Sequence, residues 1–433
     1  MKYSQFNTVL PYSDKMLLYN SFSNQFLILE PLLKDLLFAA KAEDIDELRN
    51  VHATFFQALI DGGYLVENER DEVEEVKKVS RKTDLDQSDY RLTINPTMNC
   101  NFKCWYCYET HIKSSRMNED IIERTNIFIS NLVSTSRSLK RINLSWFGGE
   151  PLLYFYDIVQ PIMEHFNKAC AAHDIAGSIT FTTNGFLINE KMIKIFEKEK
   201  AAHFQITMDG FGEDHDKIRY VSETRGSYKE IIHNIKLLIR NKFNVTMRIN
   251  YTADNILNCD RIIEDLMDLD QVDKSYMLVD FHKVWQETDA NADLHFMQKA
   301  DNFRNAGFRV SSHLSPNNVR DSCYADKLNS AVINYNGEVF KCTARDFTTG
   351  KREGYINESG EIIWEKGSPT RRMEAKFHNK PCLSCRILPL CNGGCSQHAI
   401  EHLNLEDYCV YSFDEKEKDK VVLNKFKEIT AVH

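Results

Sequence analysis

The chain has no apolar run long enough to span a bilayer, which takes about 20 consecutive apolar residues. Its first residues, Met1-Lys2-Tyr3-Ser4-Gln5, lack the charged-then-apolar pattern of a secretory signal. No membrane association is therefore expected, and the expected location is the cytoplasm. An excess of positive charge is also missing. The formal net charge is −9, whereas a general nucleic-acid binder carries a basic surface, so no nucleic-acid partner is expected. Internal repeats and low-complexity tracts are absent as well. What remains is a chain of 433 residues, 42% apolar and 27% charged. That balance excludes disorder as the default and leaves room for two or three domains.

Against these absences stand twelve cysteines. In a reducing compartment so many are not explained by structural disulfides, and metal or cluster ligation becomes the better reading. Three regions separate along the chain. In the first, residues 1–82, apolar stretches around Met16-Leu17-Leu18-Tyr19 and Phe26-Leu27-Ile28-Leu29 flank a polar turn and read as a hairpin. A helix stopped at Gly62-Gly63 and a strand at Tyr64-Leu65-Val66 follow. The segment 67–82 is dense in both charges and reads as a solvated helix or linker that bounds the domain. The second region, residues 83–310, alternates β-rich runs with amphipathic ones. Strands are expected at 91–94, 141–146, 178–182, 203–207, 245–250 and 276–281. Helices are expected at 120–132, 158–172, 190–198, 228–240 and 261–268. Alternation of this kind predicts βαβ units and a parallel sheet, an α/β fold closing toward a partial (β/α)6 TIM-like barrel with its chemistry at the strands' C-terminal ends. The third region, residues 311–433, holds seven cysteines among weak, short element signals. Without an obvious apolar core of its own, it is expected to draw stability from bound metal.

Directly after the first expected barrel strand comes Asn99-Cys100-Asn101-Phe102-Lys103-Cys104-Trp105-Tyr106-Cys107-Tyr108. Three thiolates at this spacing suit three corners of an iron–sulfur cubane and leave the fourth iron open. Taken alone, they also suit a zinc site with a distant fourth ligand. The CxxxCxxC spacing, with an aromatic before the last cysteine, resembles the radical S-adenosylmethionine (SAM) superfamily. Further strand-end runs continue the resemblance in order. They are Phe147-Gly148-Gly149-Glu150-Pro151, Thr182-Thr183-Asn184-Gly185, Thr207-Met208-Asp209-Gly210 and Asn250-Tyr251-Thr252.

The resemblance implies that Cys100, Cys104 and Cys107 hold a [4Fe–4S] cluster whose open iron chelates SAM, and that its reductive cleavage yields a 5′-deoxyadenosyl radical. It further implies SAM contacts from Gly148, Gly149, Glu150, Thr183, Asn184, Asp209 and Asn250. Tyr106 either packs the adenine or fills the core under the loop. His215 and Arg219 lie where the family places groups near the SAM carboxylate; the alternative is a surface-loop ion pair. A low-potential electron donor such as a flavodoxin or ferredoxin is implied, with activity only in the absence of oxygen.

The C-terminal cysteines, Cys323, Cys342, Cys382, Cys385, Cys391, Cys395 and Cys409, resemble the SPASM extension of such enzymes, which carries two auxiliary [4Fe–4S] clusters. By that resemblance Cys382, Cys385, Cys391 and Cys409 ligate one cluster fully, and Cys323, Cys342 and Cys395 hold the other. Residues 317–322 supply no further cysteine, so the second auxiliary cluster either keeps an open iron or takes a ligand such as Asp321. A pair of zinc ribbons is the structural alternative. The residue after Cys342 is Thr343, where sulfatase-maturing relatives carry an acidic base; Asp346 lies three positions on. Cys170 and Cys259 match no motif and are expected as plain thiols. Trp146, Trp285 and Trp364 are expected in the core or at domain contacts. The N-terminal region resembles, by pattern, the small winged-helix domains that dock a leader peptide by strand addition. Together these imply a peptide maturase acting on a precursor peptide with a leader, forming a thioether or carbon–carbon crosslink. Formylglycine formation in a sulfatase, or a non-catalytic iron–sulfur or zinc-stabilised binding protein, are the alternatives.

Overall fold

A computed structural model describes residues 1–430 apart from Glu223, Ala290, residues 313–317, Lys366 and Asn404. Asn317, part of the segment that supplies no extra cysteine, thus lies outside the described residues. The chain divides into two compact units. One assembles Met1–Asp86, Leu314–Leu328 and Thr370–His433; the other comprises Gln87–His313 and Asn329–Pro369.

The second unit is built on a mostly parallel sheet. Its parallel strands are Asp89–Asn95, Arg141–Trp146, Ala176–Thr183, Ala201–Met208, Asn244–Tyr251, Met277–Lys283 and Arg309–Ser312. All six expected strands are present. A seventh, Arg309–Ser312, escaped the sequence reading because only four residues carry it. Alternation explains how the sheet packs. Leu92, Leu144, Phe181, Phe204, Met247 and Val279 point into one continuous core beneath the helices, while the residues between them occupy the opposite face. Helices Glu119–Thr135, Gln160–Ala172, Glu190–Lys198 and Tyr228–Arg240 cover the apolar face. Asn118 and Asn189 cap two of them by accepting backbone N–H groups. The last expected helix is shorter than its periodicity suggests, Ile262–Asp265.

The sheet does not stop at residue 310. Ser330–Asn334 pairs in parallel with Asp89–Asn95, and Glu338–Phe340, Gly354–Ile356 and Ile362–Trp364 continue it antiparallel. These strands of three to five residues are too short to show a period in the sequence.

In the first unit a three-stranded antiparallel sheet, Asn7–Tyr12, Lys15–Asn20 and Gln25–Leu29, extends the expected hairpin by one strand. Helix Ala53–Asp61 ends at Gly62, and Gly63, at φ +75°, turns the chain into Leu65–Val66. The charged segment after it forms helix Glu72–Asp84. It is capped by Asp71 and buries Val76 and Ser80, so it is a packed helix rather than a solvated linker. The cysteine-rich region is not short of apolar packing either. Ile387, Leu390, Val421 and Val422 share a cluster with Leu10 and Tyr19, and Leu388 packs with Phe6 and Val76. Much of that core comes from the opposite end of the chain, which is why the C-terminal sequence alone looks coreless. A buried charge triad adds to it: Lys376 lies 2.7 Å from Asp84 and 2.9 Å from Asp326.

Candidate active site

The cysteine loop leaves strand Asp89–Asn95 at its C-terminal end, where parallel sheets expose backbone groups and their ligand crevices. It is pinned by its own backbone. Ile112 N–H donates to Met98 O at 3.1 Å, Met117 N–H to Pro96 O at 2.9 Å, and Glu150 N–H to Asn99 O at 2.8 Å. Thr97 and Ser115 form a buried hydroxyl pair at 3.0 Å under it.

Gly148 and Gly149 explain themselves against this loop. Gly148 has φ +83°, and a Cβ there would lie 2.6 Å from Thr97 O. A Cβ on Gly149 would lie 2.2 Å from Asn99 O, which is backbone and cannot swing away. Gly149→Ala is therefore expected to displace the cysteine loop, costing about 1–3 kcal/mol by overpacking, and to lower SAM cleavage by more than its effect on the melting temperature accounts for. Thermal unfolding and 5′-deoxyadenosine release, measured together, check this.

Burial pushes the Cys100 thiol up to about 12 and the Cys107 thiol up to about 11, and it raises Cys104 as well. Such a loop holds thiolates only when a cationic partner is bound among them, which is what an iron–sulfur cluster supplies. The residues present fit that group. Phe102 N–H points at Cys100 Sγ at 3.4 Å, a backbone donor of the kind that stabilises cluster sulfur.

Glu150 is fully buried. Its carboxylate accepts from Leu152 N–H at 3.0 Å, Thr183 Oγ1–H at 2.7 Å and Asn184 N–H at 2.8 Å. Burial raises its pKa, and these donors oppose the rise. Three of about four lone-pair positions are filled, which leaves room for one more donor. Asn184 reaches back to the cysteine loop, donating to Asn101 Oδ1 at 2.8 Å.

A second network centres on Tyr106. Its hydroxyl donates to Asp209 Oδ1 at 2.5 Å and accepts from Arg219 at 2.8 Å and from Asn250 Nδ2 at 3.1 Å. The Arg219 guanidinium also donates to Asp209 Oδ2. Asp209 is fully buried, and Arg219 nearly so. Burial opposes the Arg219 charge, yet Tyr106, Cys104 and Asp209 together outweigh it and hold its pKa well above the usual value. His215 is fully buried, and burial, with Arg219 beside it, drives its pKa well down. Its neutral ring accepts from Asp209 N–H at Nδ1, 3.2 Å, and meets Ser227 Oγ at Nε2, 3.1 Å. Ser227 in turn donates to Arg219 O at 2.8 Å. His215 and Arg219 therefore form a buried clamp on Asp209 and not a surface-loop ion pair. Tyr106 is neither a bare core filler nor a free platform: it ties the cysteine loop to the ends of two strands.

The aromatic expectations divide. Trp146 is fully buried, but Trp285 is 64% exposed and stacks on Tyr108 with ring centroids 5.3 Å apart. Cys170 and Cys259 are buried in the apolar core, as plain thiols would be. The sequence reading passed over Arg248, Asp280 and His282, which face away from the helices on adjacent strands. The available signal was a charged or polar residue between apolar neighbours in each strand.

In the first unit Cys382, Cys385, Cys391 and Cys409 line one cavity with Leu388, Tyr408 and Tyr411. Burial pushes Cys391 up to about 12 and raises Cys382. Asn379 Nδ2 lies 3.0 Å from Cys382 Sγ. Four thiols round one cavity fit a cluster as well as the loop does. Cys323 and Cys395 lie in the same unit, whereas Cys342 follows strand Glu338–Phe340 of the other. Among the described residues, no three His, Cys, Asp or Glu side chains gather tightly enough to hold a single metal ion.

Residues 94–266 match the family model of the Radical SAM superfamily. A cysteine-type anaerobic sulfatase-maturating enzyme of Clostridium novyi is 26% identical over 338 residues, spanning 71% of this chain and 88% of the relative. The radical SAM cyclopropyl synthase TigE of Paramaledivibacter caminithermalis is 21% identical over 242 residues, 52% of this chain and 47% of that protein. The chain thus spans most of the first relative but about half of the second. Among solved structures, anSMEcpe with bound AdoMet and Kp18Cys peptide matches with a TM-score of 0.59 at 18% identity, covering 79% of this chain and 99% of that one. Streptococcus suis SuiB bound to precursor peptide SuiA matches with a TM-score of 0.53 at 18% identity, covering 94% and 98%.

Proposed function

We propose that the chain is a radical SAM enzyme working with a [4Fe–4S] cluster and SAM, a reading supported by the family match over residues 94–266 and the sulfatase-maturating relative, and that it matures a ribosomally made precursor peptide by a thioether or carbon–carbon crosslink. The observation that carries this reading is coverage. The likeness to SuiB with its precursor peptide extends over 94% of the chain, whereas that to the anSMEcpe structure with its peptide extends over 79%. The wider coverage accords with a maturase that includes a leader-docking region. On this reading residues 1–82 form a winged-helix-like domain that docks the leader, residues 83–310 a partial (β/α)6 barrel, and residues 311–433 a SPASM region.

Cys100, Cys104 and Cys107 are the proposed ligands of the SAM-cleaving cluster. Glu150 has one acceptor position left for the SAM amino group. Gly148 and Gly149 let the strand-end turn lie flat on the cysteine loop. Thr183 and Asn184 fix the Glu150 carboxylate, while Asp209, Asn250 and Tyr106 form the polar wall beside it. Cys382, Cys385, Cys391 and Cys409 hold one auxiliary cluster and Cys323, Cys342 and Cys395 the other. When bound, the cluster and SAM supply a hydrogen-abstracting radical; the chain orients the substrate and excludes water. A low-potential flavodoxin or ferredoxin delivers the electron.

The sulfatase-maturase reading is favoured by the 26% identity to the Clostridium novyi enzyme. Thr343 in place of an acidic residue after Cys342 speaks against it. Product mass separates the two. A crosslinked peptide is expected to lose two hydrogens and stay inert to hydrazide reagents, whereas formylglycine reacts with them. A precursor peptide encoded beside the gene, recovered unchanged after anaerobic turnover with SAM and reductant, would sink the crosslinking proposal.

A further inference from the structure

The sheet face opposite the helices carries an arginine beside the proposed cofactor wall. Arg248 lies between Met247 and Ile249, both in the apolar core, so its side chain leaves on the other face together with that of Asn250. Its strand partners in register are Thr207 and Asp280. Arg248 Nε donates to Asn250 Oδ1 at 2.9 Å, and Asn250 donates to the Tyr106 hydroxyl. Arg248 is therefore one side chain removed from the Tyr106 network.

Its two terminal nitrogens meet no hydrogen-bond acceptor among the described residues, although Asp280, opposite it in register, favours its charge from a distance. The neighbouring acids are engaged elsewhere. Asp280 accepts from Ser311 at 2.5 Å and meets His282 at 2.6 Å. Asp209 is held by Arg219 and Tyr106. Burial pulls the Arg248 pKa below its usual value, the reverse of Arg219. A half-buried guanidinium whose terminal N–H groups bond no carboxylate among the described residues is costly, and the fork of those N–H groups matches a carboxylate in two-point geometry.

We propose that Arg248 receives a carboxylate of the substrate, so that the peptide segment entering beside the cofactor carries an acidic side chain or a chain terminus. This rests on the peptide-substrate reading. It adds a specificity that neither the cysteine motifs nor the SAM-contact residues contain.

The test uses the full reconstituted chain with SAM and three probes: N-acetylglutamate N-methylamide, N-acetylglutamine N-methylamide and N-acetylalanine. Binding is read by ligand-detected NMR. At least one carboxylate probe is expected to bind about tenfold more tightly than the glutamine probe, the ratio of a charge-assisted pair to a neutral contact. Which carboxylate probe wins tells a side chain from a terminus. Arg248→Gln is expected to erase the preference. Arg248→Lys keeps the charge without the fork and is expected to keep a preference of about threefold even if the glutamine variant does not fold. Equal binding of all three probes overturns the proposal, as does a preference that survives Arg248→Gln. A tenfold loss of SAM affinity in Arg248→Lys also overturns it, by showing that the carboxylate is the cofactor's own. A wild type that prefers the carboxylate probes yet alters no peptide upholds the site and removes the peptide reading. One that crosslinks peptides without favouring acidic ones removes this inference alone.

Discussion

Replacing Cys100, Cys104 and Cys107 together with alanine is expected to remove about four irons per chain and all 5′-deoxyadenosine formation. Three cubane clusters carry about twelve irons, so about eight should remain after anaerobic reconstitution. The loop itself should survive. Its shape rests mainly on the backbone bonds from Ile112, Met117 and Glu150. The unloaded variant is thus expected to melt within about 1 kcal/mol of the unloaded wild type, the scale of surface or partly buried changes. Iron, acid-labile sulfide and zinc measured on both proteins decide the matter. Zinc without sulfide, in wild type and variant alike, would replace the radical chemistry with a zinc-stabilised binding protein. Retained SAM cleavage in the variant would relocate the radical-generating cluster to the C-terminal cysteines.

The second unit was the more readable of the two. Most of its long strands alternate, as in Ile142, Leu144 and Trp146, and its helices carry long stripes such as Ile231, Ile232, Ile235 and Leu238. Period alone therefore located all six expected strands, and two helices, Glu190–Lys198 and Tyr228–Arg240, begin and end where expected. The motifs at the strand ends were legible because their constraint is local. Gly148 and Gly149 are glycines on account of a backbone a few ångströms away on the preceding loop.

What stayed hidden was long-range. Ile387 and Val422 find their core partners in Leu10 and Tyr19, more than 360 residues earlier, and no window along the C-terminal sequence contains both sides. Helix Glu72–Asp84 misled by composition. Thirteen residues with only three valines look solvated, yet both Val76 and the small Ser80 face inward. His215 and Arg219 were singled out, but their role was open because a charged pair reads alike on a surface loop or under one. Only the depth of Asp209 settles that.

That depth sets the other large effect. Arg219→Ala is expected to cost about 3–5 kcal/mol, the range found when one partner of a buried ion pair is removed, and to weaken SAM binding severely. Asp209 has no exposed side-chain surface and would keep Tyr106 as its hydrogen-bond donor while losing its counter-charge. Arg219→Lys should recover little. Arg219 sends one nitrogen to Asp209 and another to the Tyr106 hydroxyl, and a single ammonium cannot reproduce that planar fork. The contrast is Lys217→Ala, two residues earlier. Its pair with Asp214 is 2.9 Å long, but its side chain is 70% exposed, so no measurable change in melting is expected. Thermal unfolding and SAM titration of the three variants check the set. A double-mutant cycle of Arg219→Ala with Tyr106→Phe should show coupling of about 0.5–3 kcal/mol, because both side chains hold the same carboxylate. Additive effects would mean that Tyr106 and Asp209 act independently, and the polar wall would then be two separate contacts with SAM.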